Sequence, residues 1–353
     1  MKEDHTYPAI NWDNIDIKRR LTWYNPLSWI TEGLFSRAQL LHAQWWSMPL
    51  FPVFFIICAA FRARNKPVVF TVHNVLPHES SRLYKMFSKR LFRFGNYFIV
   101  HTEANLRQLV YHYKIPRRKV TVIPHGRLDF QIQNISDPHK IREAMGFSVD
   151  DKIILVFGAI RSYKGIDTAL KAIAEVAHKM PDVRLVIAGK LWESWEPYQK
   201  LIIQLNLENK ISTYLNYIPS NAVHAFFEIA DLVILPYRHF DSQSGAGATA
   251  VSFRKPMIVS NVGGLPDLVK DSRCIVPADD PDELAHAIMN FFDDPELVQD
   301  CILNMDTVSE ALDWSNIAMR TEAVYKKVLR INREERIASG IIKPIPIKET
   351  DVY

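Results

Sequence analysis

Residues 152–173 read KIILVFGAIRSYKGIDTALKAI, an apolar run followed by a segment whose apolar residues recur at helical spacing. The run predicts a buried strand and the segment after it predicts a helix. The loop between them carries two cations, Arg161 and Lys164. Since parallel α/β sheets bind ligands beyond the carboxyl ends of their strands, this loop is a candidate binding site.

The same alternation of strand and helix continues along most of the chain. Further strands are predicted near residues 67–75, 97–101, 119–123, 183–190, 232–237 and 255–261. Helices are predicted between them, one of them capped by Thr102. This pattern predicts parallel sheets with helices on both faces. It occurs twice around a polar, unpatterned linker near residues 128–150, so we expect an α/β protein of two doubly wound, Rossmann-like domains that face each other across a cleft.

Length and composition agree with two globular domains. The chain has 353 residues, of which 48% are hydrophobic and 23% charged, as in an ordinary soluble globular protein. Its three cysteines, at positions 58, 274 and 301, show neither a disulfide framework nor a metal-binding spacing. A reducing compartment is therefore expected. The polar, acidic N-terminus predicts no signal peptide.

The charge is unevenly distributed between the two halves. Residues 1–130 carry 19 Lys and Arg against eight Asp and Glu, whereas the remaining residues carry 24 against 31. A basic first domain predicts contact with an anionic surface or ligand. No nucleic-acid motif accompanies the charge, and an anionic membrane surface fits at least as well. The uncharged stretch 45–61 is short and contains Pro49 and Pro52, which favours a buried helix over a membrane span.

The loop after residue 157 offers the first set of candidate ligand contacts. Arg161 and Lys164 precede a helix, and two fixed cations beside a helix N-terminus suit a diphosphate. A solvated basic turn is the alternative.

The segment SQSGAGATA, residues 242–250, follows another predicted strand. Gly245 and Gly247 would let the backbone approach a ligand closely, and Ser242 and Ser244 add hydroxyl groups. It lacks the Lys and Ser/Thr of a phosphate-binding P-loop, and close helix packing would explain the glycines equally well. Asp241 would suit sugar hydroxyls, or would serve as a helix cap.

Three histidines end predicted strands of the first half. His73, His101 and His125 lie at such positions, and a histidine at the carboxyl end of a parallel strand is a good candidate for a functional residue. An ordinary loop histidine is the alternative. Their spacing does not predict a metal site.

Together these segments resemble the group 1 glycosyltransferases, a retaining family with the GT-B fold that is also called glycosyltransferase family 4. In chain order, the resemblance rests on LHAQWW, TVHNVLPHE, IPHG, FGAIRSYKGIDTALKAI, RLVIAGK, ADLVILPY, SQSGAGATA and KPMIVSNVGGLPDLV. These segments follow the order of the family, and the resemblance covers roughly residues 20–330. It implies an N-terminal acceptor-side domain at 1–135, a nucleotide-sugar donor domain at 136–312, and a crossover helix with a tail at 313–353.

The resemblance also implies roles for individual residues. Asp241 matches the first acid of the family's Glu-x7-Glu motif, which holds the donor sugar, and His73 matches the first-domain histidine near the reacting centre; both are the expected catalytic residues. The expected donor-binding residues are Gly158, Arg161, Lys164, Gly189, Ser244, Gly245, Ala246, Gly247 and Thr249. No metal and no cofactor are expected, because cations and N–H dipoles would stabilise the leaving diphosphate.

Two departures from the family pattern accompany this resemblance. Thr249 stands where the second acid of the motif is expected. The usual N-terminal strand and glycine-rich loop are not found before Asn25, so either the start is truncated or the first sheet is reduced.

In addition, residues 84–94 interleave four cations with aromatic residues, and Phe87, Leu91 and Phe94 share a helical face. That face predicts either a core contact or an interfacial membrane helix.

The expected function is transfer of a sugar from a nucleotide diphosphate to a polysaccharide, lipid-linked or other glycan acceptor of the cell envelope. The expected location is the cytoplasm, at the inner face of the membrane, with peripheral contact to anionic lipid and no nucleic-acid partner. Two alternatives stay open: a catalytically impaired homologue that binds a glycan or a protein partner, and a nucleotide-sugar epimerase of the same fold.

Overall fold

The computed structural model describes residues 20–22, 24–76, 82–128 and 137–341. They form two α/β units. The N-terminal unit holds the described residues between 20 and 123 together with 318–341, and the C-terminal unit holds those between 124 and 317. The sequence predicts the domain boundaries after residues 135 and 312.

The N-terminal unit contains a sheet of four parallel strands that follow one another in chain order. The strands are β1 (Leu41–Trp45), β2 (Val68–Val72), β3 (Tyr97–Val100) and β4 (Val120–Val122). The helices up to β4 are α1 (Pro26–Phe35), α2 (Phe51–Ala63), α3 (Arg82–Phe92) and α4 (Glu103–Tyr113). Thr102 caps α4 as predicted, because its side chain accepts the Asn105 N–H.

The C-terminal unit contains a sheet of six parallel strands. The strands are β5 (Lys152–Phe157), β6 (Val183–Ala188), β7 (Ile211–Tyr214), β8 (Leu232–Leu235), β9 (Met257–Ser260) and β10 (Ile275–Val276). The helices are α5 (Pro138–Ala144), α6 (Ile166–Lys179), α7 (Glu196–Gln204), α8 (Ser220–Ile229), α9 (Gly245–Ser252), α10 (Pro281–Asp293), α11 (Pro295–Ala311) and α12 (Trp314–Ala338). Most of α12 belongs to the N-terminal unit.

The strand order of the six-stranded sheet is β10-β9-β8-β5-β6-β7, so the direction of winding reverses between β5 and β8. Alternate residues of β5 face opposite cores. Ile154 and Val156 pack with α6 and α10, whereas Ile153 and Leu155 pack with α8 and α9. The helices that follow β5 and β8 therefore leave the sheet on opposite faces, which opens a crevice at the carboxyl ends of these two strands. The predicted doubly wound sheet is confirmed for this unit.

The two faces of the four-stranded sheet differ in polarity. Large apolar residues such as Trp45, Phe70 and Phe98 pack on one side, with α2, α3 and α4. On the other side His42 contacts Tyr325 of α12, and Lys327 of α12 donates to the Tyr97 hydroxyl. Helix α12 thus packs on the more polar face of this sheet.

Three sequence predictions change in detail. The stretch 45–61 is not one helix: it contains the end of β1, a 3-10 turn at 48–50, and α2, because Pro49 and Pro52 favour helix starts. The apolar face of α3 is a core contact, with Leu91 buried and Phe87 and Phe94 packed on aromatic residues of α2. The linker region contains α5. Among the described helices, none is long and apolar enough to cross a membrane.

Candidate functional site

The loops after β5 and β8 are held together at the crevice where the winding reverses. The Arg238 N–H donates to the Tyr163 carbonyl at 2.8 Å. Gly165 has a φ of +65°, and a Cβ there would lie 2.0 Å from the Pro236 carbonyl oxygen, so only glycine permits this contact. The crevice thus brings together the two loops in which the sequence predicts donor-binding residues.

Lys164 is a buried cation at the base of this crevice. Its side chain is 5% exposed, and its ammonium donates to the Phe157 carbonyl at 3.1 Å and lies 5.4 Å from the Tyr237 ring centroid. Burial lowers the pKa of Lys164 to about 8. No carboxylate of the described residues lies within 4.0 Å of it. Because a buried charge is stabilised by a counter-ion, Lys164 is suited to bind an anion.

Two glycines allow the backbone to pack closely around this ammonium. Gly158 has a φ of +100°, and a Cβ there would lie 2.9 Å from Lys164 Nζ and 3.8 Å from Ala246 Cβ. A Cβ on Gly189 would lie 2.1 Å from the Gly158 carbonyl oxygen. The Lys164 ammonium and the first turn of α9 therefore converge on Gly158, whereas Gly189 is needed for backbone packing behind it.

The first turn of α9 offers free N–H groups. Ser244 is the N-cap, and its buried hydroxyl accepts the Gly247 N–H at 3.2 Å and bonds the Tyr237 hydroxyl at 3.0 Å. Within the described chain, the N–H groups of Gly245 and Ala246 have no acceptor. Unpaired amides at a helix N-terminus bind anions. Ser244, in contrast, uses its hydroxyl within the fold.

The two glycines of α9 have different surroundings. A Cβ on Gly245 would meet no atom within 4 Å, whereas a Cβ on Gly247 would lie 2.4 Å from Leu268 Cδ1. Of the two explanations that the sequence allowed, helix packing fits Gly247, and room for a ligand fits Gly245.

Arg161 lies at the exposed side of the same loop. Its guanidinium is 4.5 Å from the ring centroid of Trp192, which follows β6. The other arginine here, Arg238, pairs with Asp167 and Asp279 and donates to the Ser162 carbonyl. Arg238 therefore braces the loop, while Arg161 carries no carboxylate partner among the described residues.

Asp241 and Thr249 lie at opposite ends of the Asp241–Thr249 segment. The Asp241 backbone is packed by the loop after β9: a Cβ on Gly263, with a φ of +55°, would lie 2.2 Å from the Phe240 carbonyl oxygen and 3.3 Å from the Asp241 nitrogen. Thr249 is 2% exposed, and its hydroxyl donates to the Gly245 carbonyl at 2.9 Å. The Thr249 hydroxyl is thus engaged inside α9.

His73 belongs to the N-terminal unit, and both its ring nitrogens are hydrogen-bonded. Nε2 contacts the Gln44 amide at 2.7 Å, Nδ1 contacts His101 Nε2 at 2.9 Å, and the ring stacks on Trp46 at 3.6 Å. His101 Nδ1 must donate to the Ile123 carbonyl, 2.9 Å away, because a carbonyl only accepts. His73 and His101 therefore form a fixed pair at the carboxyl ends of β2 and β3.

His125 belongs to the C-terminal unit and meets the loop after β8. Its backbone N–H donates to the Gln243 side chain at 2.6 Å, and its carbonyl accepts from the same amide at 3.4 Å. This contact joins the IPHG segment to the SQSG segment.

Sequence reasoning missed Trp192, Tyr237, Gln243 and Gln44. Trp192 and Tyr237 lie at or next to the ends of predicted strands, and Gln243 lies within the SQSGAGATA segment, whereas Gln44 lies in β1, a strand that the sequence did not predict. Among the described residues, no group of three or more His, Cys, Asp or Glu side chains could hold a metal ion.

The chain is similar to known glycosyltransferases. Residues 137–306 match the family model described as Glycosyl transferases group 1, and residues 5–127 match the model described as Glycosyltransferase Family 4. The chain is 28% identical over 222 residues to the uncharacterized glycosyltransferase MJ1607 of Methanocaldococcus jannaschii. This match covers 61% of this chain and 55% of that protein. It is 25% identical over 238 residues to a D-inositol 3-phosphate glycosyltransferase of Mycobacterium marinum, covering 65% of this chain and 50% of the relative.

The matches thus span about half the length of these relatives. Among solved structures, Anabaena Alr3699/HepE in complex with UDP matches with a TM-score of 0.72 and 18% identity, over 86% of this chain and 81% of that one. This likeness identifies the fold as that of GT-B glycosyltransferases.

Proposed function

Because this chain belongs to the group 1 glycosyltransferases, we propose that it transfers a sugar, with retention at the anomeric carbon, from a nucleotide diphosphate to a glycan acceptor. One observation carries the proposal: the buried ammonium of Lys164, without a carboxylate partner among the described residues, converges with the open N-terminus of α9. This combination suits the phosphates of a nucleotide sugar.

The chemistry follows from where negative charge develops. When the bond between the anomeric carbon and the diphosphate oxygen breaks, its electron pair stays on the leaving diphosphate. The Lys164 ammonium, the Arg161 guanidinium and the amides of Gly245 and Ala246 stabilise that charge, since fixed dipoles and cations need no reorganisation during the reaction. Asp241 holds a hydroxyl group of the donor sugar. His73, which Gln44 and His101 hold in place, is the proposed catalytic residue of the acceptor-side domain.

A uridine diphosphate sugar is the first donor to test, because the HepE structure contains UDP. The proposed acceptor is a polysaccharide, lipid-linked or other glycan of the cell envelope. The net positive charge of residues 1–130 supports an anionic or lipid-linked acceptor.

A panel of UDP-, GDP- and ADP-sugars tests the donor, with thermal shift and slow donor hydrolysis as readouts. Stabilisation by one donor, abolished in Lys164→Ala and Arg161→Ala, is the expected result. Lys200→Ala is a matched control, because Lys200 is exposed on α7 and pairs with Glu196. If no nucleotide sugar shifts the melting temperature of the wild type, the proposed transfer is wrong.

A second candidate function is binding of a nucleotide or glycan without transfer. Thr249 favours it, because a hydroxyl donated to the Gly245 carbonyl replaces the acid of the family motif. The two functions separate in one measurement. A protein that binds a nucleotide diphosphate, but neither hydrolyses nor transfers any donor in the panel, is the binding homologue.

We further propose that the N-terminal unit binds the inner face of an anionic membrane through α3. The exposed residues of α3 and the position after it are Arg82, Leu83, Met86, Lys89, Arg90 and Arg93. Leu83 is 56% exposed and Met86 39% exposed. Apolar side chains flanked by cations are typical of helices that lie on anionic membranes.

Vesicle flotation at low salt tests this surface. We expect the wild type to float with anionic vesicles more than with neutral ones, and Leu83→Ser with Met86→Ser to reduce flotation. Leu303→Ser is the matched control, since Leu303 is 55% exposed on α11. Equal flotation of the wild type on anionic and neutral vesicles would refute the proposal.

A further inference from the structure

We propose that Trp192 is a positioning residue for the diphosphate, which holds Arg161 and Lys190 at the mouth of the crevice. The inference rests on the proposed function and deepens it. The Arg161 guanidinium lies 4.5 Å from the Trp192 ring centroid, and the Lys190 ammonium lies 5.4 Å from it. Both distances are within the range of cation–π attraction, about 6 Å. One indole ring therefore makes cation–π contacts with two cations.

The backbone fixes where this ring stands. The Ile160 N–H donates to the Lys190 carbonyl at 2.8 Å, and the Trp192 N–H donates to the Ile160 carbonyl at 3.2 Å. The segments that follow β5 and β6 thus continue to pair beyond the ends of their strands. Trp192 is placed by this pairing, although its side chain is 58% exposed.

Glu193 locks the same two segments together. One of its carboxylate oxygens accepts the Ser162 N–H at 2.7 Å, and the other accepts the Tyr198 hydroxyl at 2.5 Å. The carboxylate that follows Trp192 in the chain is therefore bonded to the backbone of the cationic loop. It forms no ion pair with Arg161 or Lys190 within 4.0 Å among the described residues.

The charge balance at this ring favours an anionic ligand. Arg161 and Lys190 carry like charges, which repel each other when they share one aromatic ring. A diphosphate between them would replace this repulsion with attraction and would continue toward Lys164. The ring lowers the cost of ordering Arg161, because the guanidinium is already directed before the ligand arrives.

Inorganic pyrophosphate is the appropriate probe, because it has neither base nor sugar. Any effect of Trp192 on its binding must act through phosphate contacts and not through stacking on a nucleobase. Calorimetric titration would compare the wild type, Trp192→Ala, Arg161→Ala and the double variant, with Lys200→Ala as a control for net charge.

We expect Trp192→Ala to weaken pyrophosphate binding about two- to fivefold, as a cation–π contact at an exposed site allows. Trp192→Ala should cause a smaller loss of affinity when Arg161 is already alanine, because only the contact of Trp192 with Lys190 then remains. Trp192→Phe should retain most of the affinity. If Trp192→Ala is less stable, Trp192→Leu provides the same comparison with a side chain of more similar volume.

Two results would overturn the inference. One is unchanged pyrophosphate binding in Trp192→Ala, and the other is an equal loss with and without Arg161. Both leave the proposed transfer intact, provided that the wild type binds pyrophosphate and UDP. A wild-type protein that binds neither would instead overturn the proposed function, and the role of Trp192 with it.

Discussion

The two glycines in the first turn of α9 predict opposite consequences of the same substitution. Gly245→Ala adds a methyl group that meets no atom within 4 Å. Replacing a helical glycine by alanine favours the helix by up to about 1 kcal/mol, so the free energy of unfolding should not fall. The methyl group would, however, occupy the space through which the Gly245 and Ala246 amides reach a phosphate. We expect UDP binding to weaken about tenfold, the equivalent of about 1.4 kcal/mol.

Gly247→Ala should do the reverse. The added Cβ would lie 2.4 Å from Leu268 Cδ1 and 3.2 Å from Leu235 Cδ1, so buried side chains must move. Overpacking of this kind costs about 1–3 kcal/mol of stability. The protein that remains folded should bind UDP with nearly the wild-type affinity.

Urea denaturation and calorimetric titration with UDP measure both effects on the same samples. Gly33→Ala is the matched control. A Cβ there would lie 2.7 Å from Ala60 Cβ in the N-terminal unit, so this variant should lose stability without losing UDP affinity. Wild-type UDP affinity in Gly245→Ala would show that no phosphate lies against this turn. Wild-type stability in Gly247→Ala would show that Leu268 moves aside at no cost.

Three further predictions concern charge, backbone strain and metal. The pKa of Lys164 is about 8 in the folded protein, against 10.5 for an exposed lysine, so the free energy of unfolding should rise as the pH increases from 8 to 10.5. In urea denaturation at pH 7, the free energy of unfolding of Lys164→Met should exceed that of the wild type by about 1–3 kcal/mol, and the difference should be smaller at pH 9.5. Lys114 ends α4 with a φ of 56°. Lys114→Gly should raise the free energy of unfolding by up to about 1 kcal/mol, because glycine adopts this conformation without strain. An unchanged midpoint of urea denaturation would contradict this. Transfer activity should persist in excess EDTA, because side-chain cations and amides stabilise the leaving diphosphate; a loss reversed by Mg²⁺ or Mn²⁺ would contradict metal independence.

The sequence predicts the framework of the site because strand ends are visible in it. Apolar runs such as 152–157 end abruptly at glycine or polar residues, and parallel strands place those ends at one edge. The pairing of the loops after β5 and β8 could not be predicted, since it depends on the strand order. The reversal between those strands is set by packing of whole helices and leaves no local motif.

Side-chain orientation is the second limit of sequence reasoning. Ser244 and Gly247 share a motif with Gly245, yet the first two serve the fold, and only Gly245 faces open space. A turn of helix directs neighbouring residues to different sides, and the side that faces the ligand depends on what covers the others. The pairing of His73 with His101 was equally inaccessible, because 28 residues separate them along the chain.

Residues that serve the fold and residues that serve a ligand should respond differently to substitution, in both the stability of the protein and its nucleotide affinity. A buried ammonium without a carboxylate partner among the described residues and a glycine beside open space both lower the stability of the protein relative to Met or Ala at those positions. Removing either should therefore raise stability and lower nucleotide affinity together, as expected for Lys164 and Gly245. Gly247 supports packing, so its replacement should lower stability alone. If Lys164→Met and Gly245→Ala instead lost stability, both residues would be structural, and the anion site would have to lie elsewhere along the crevice between β5 and β8.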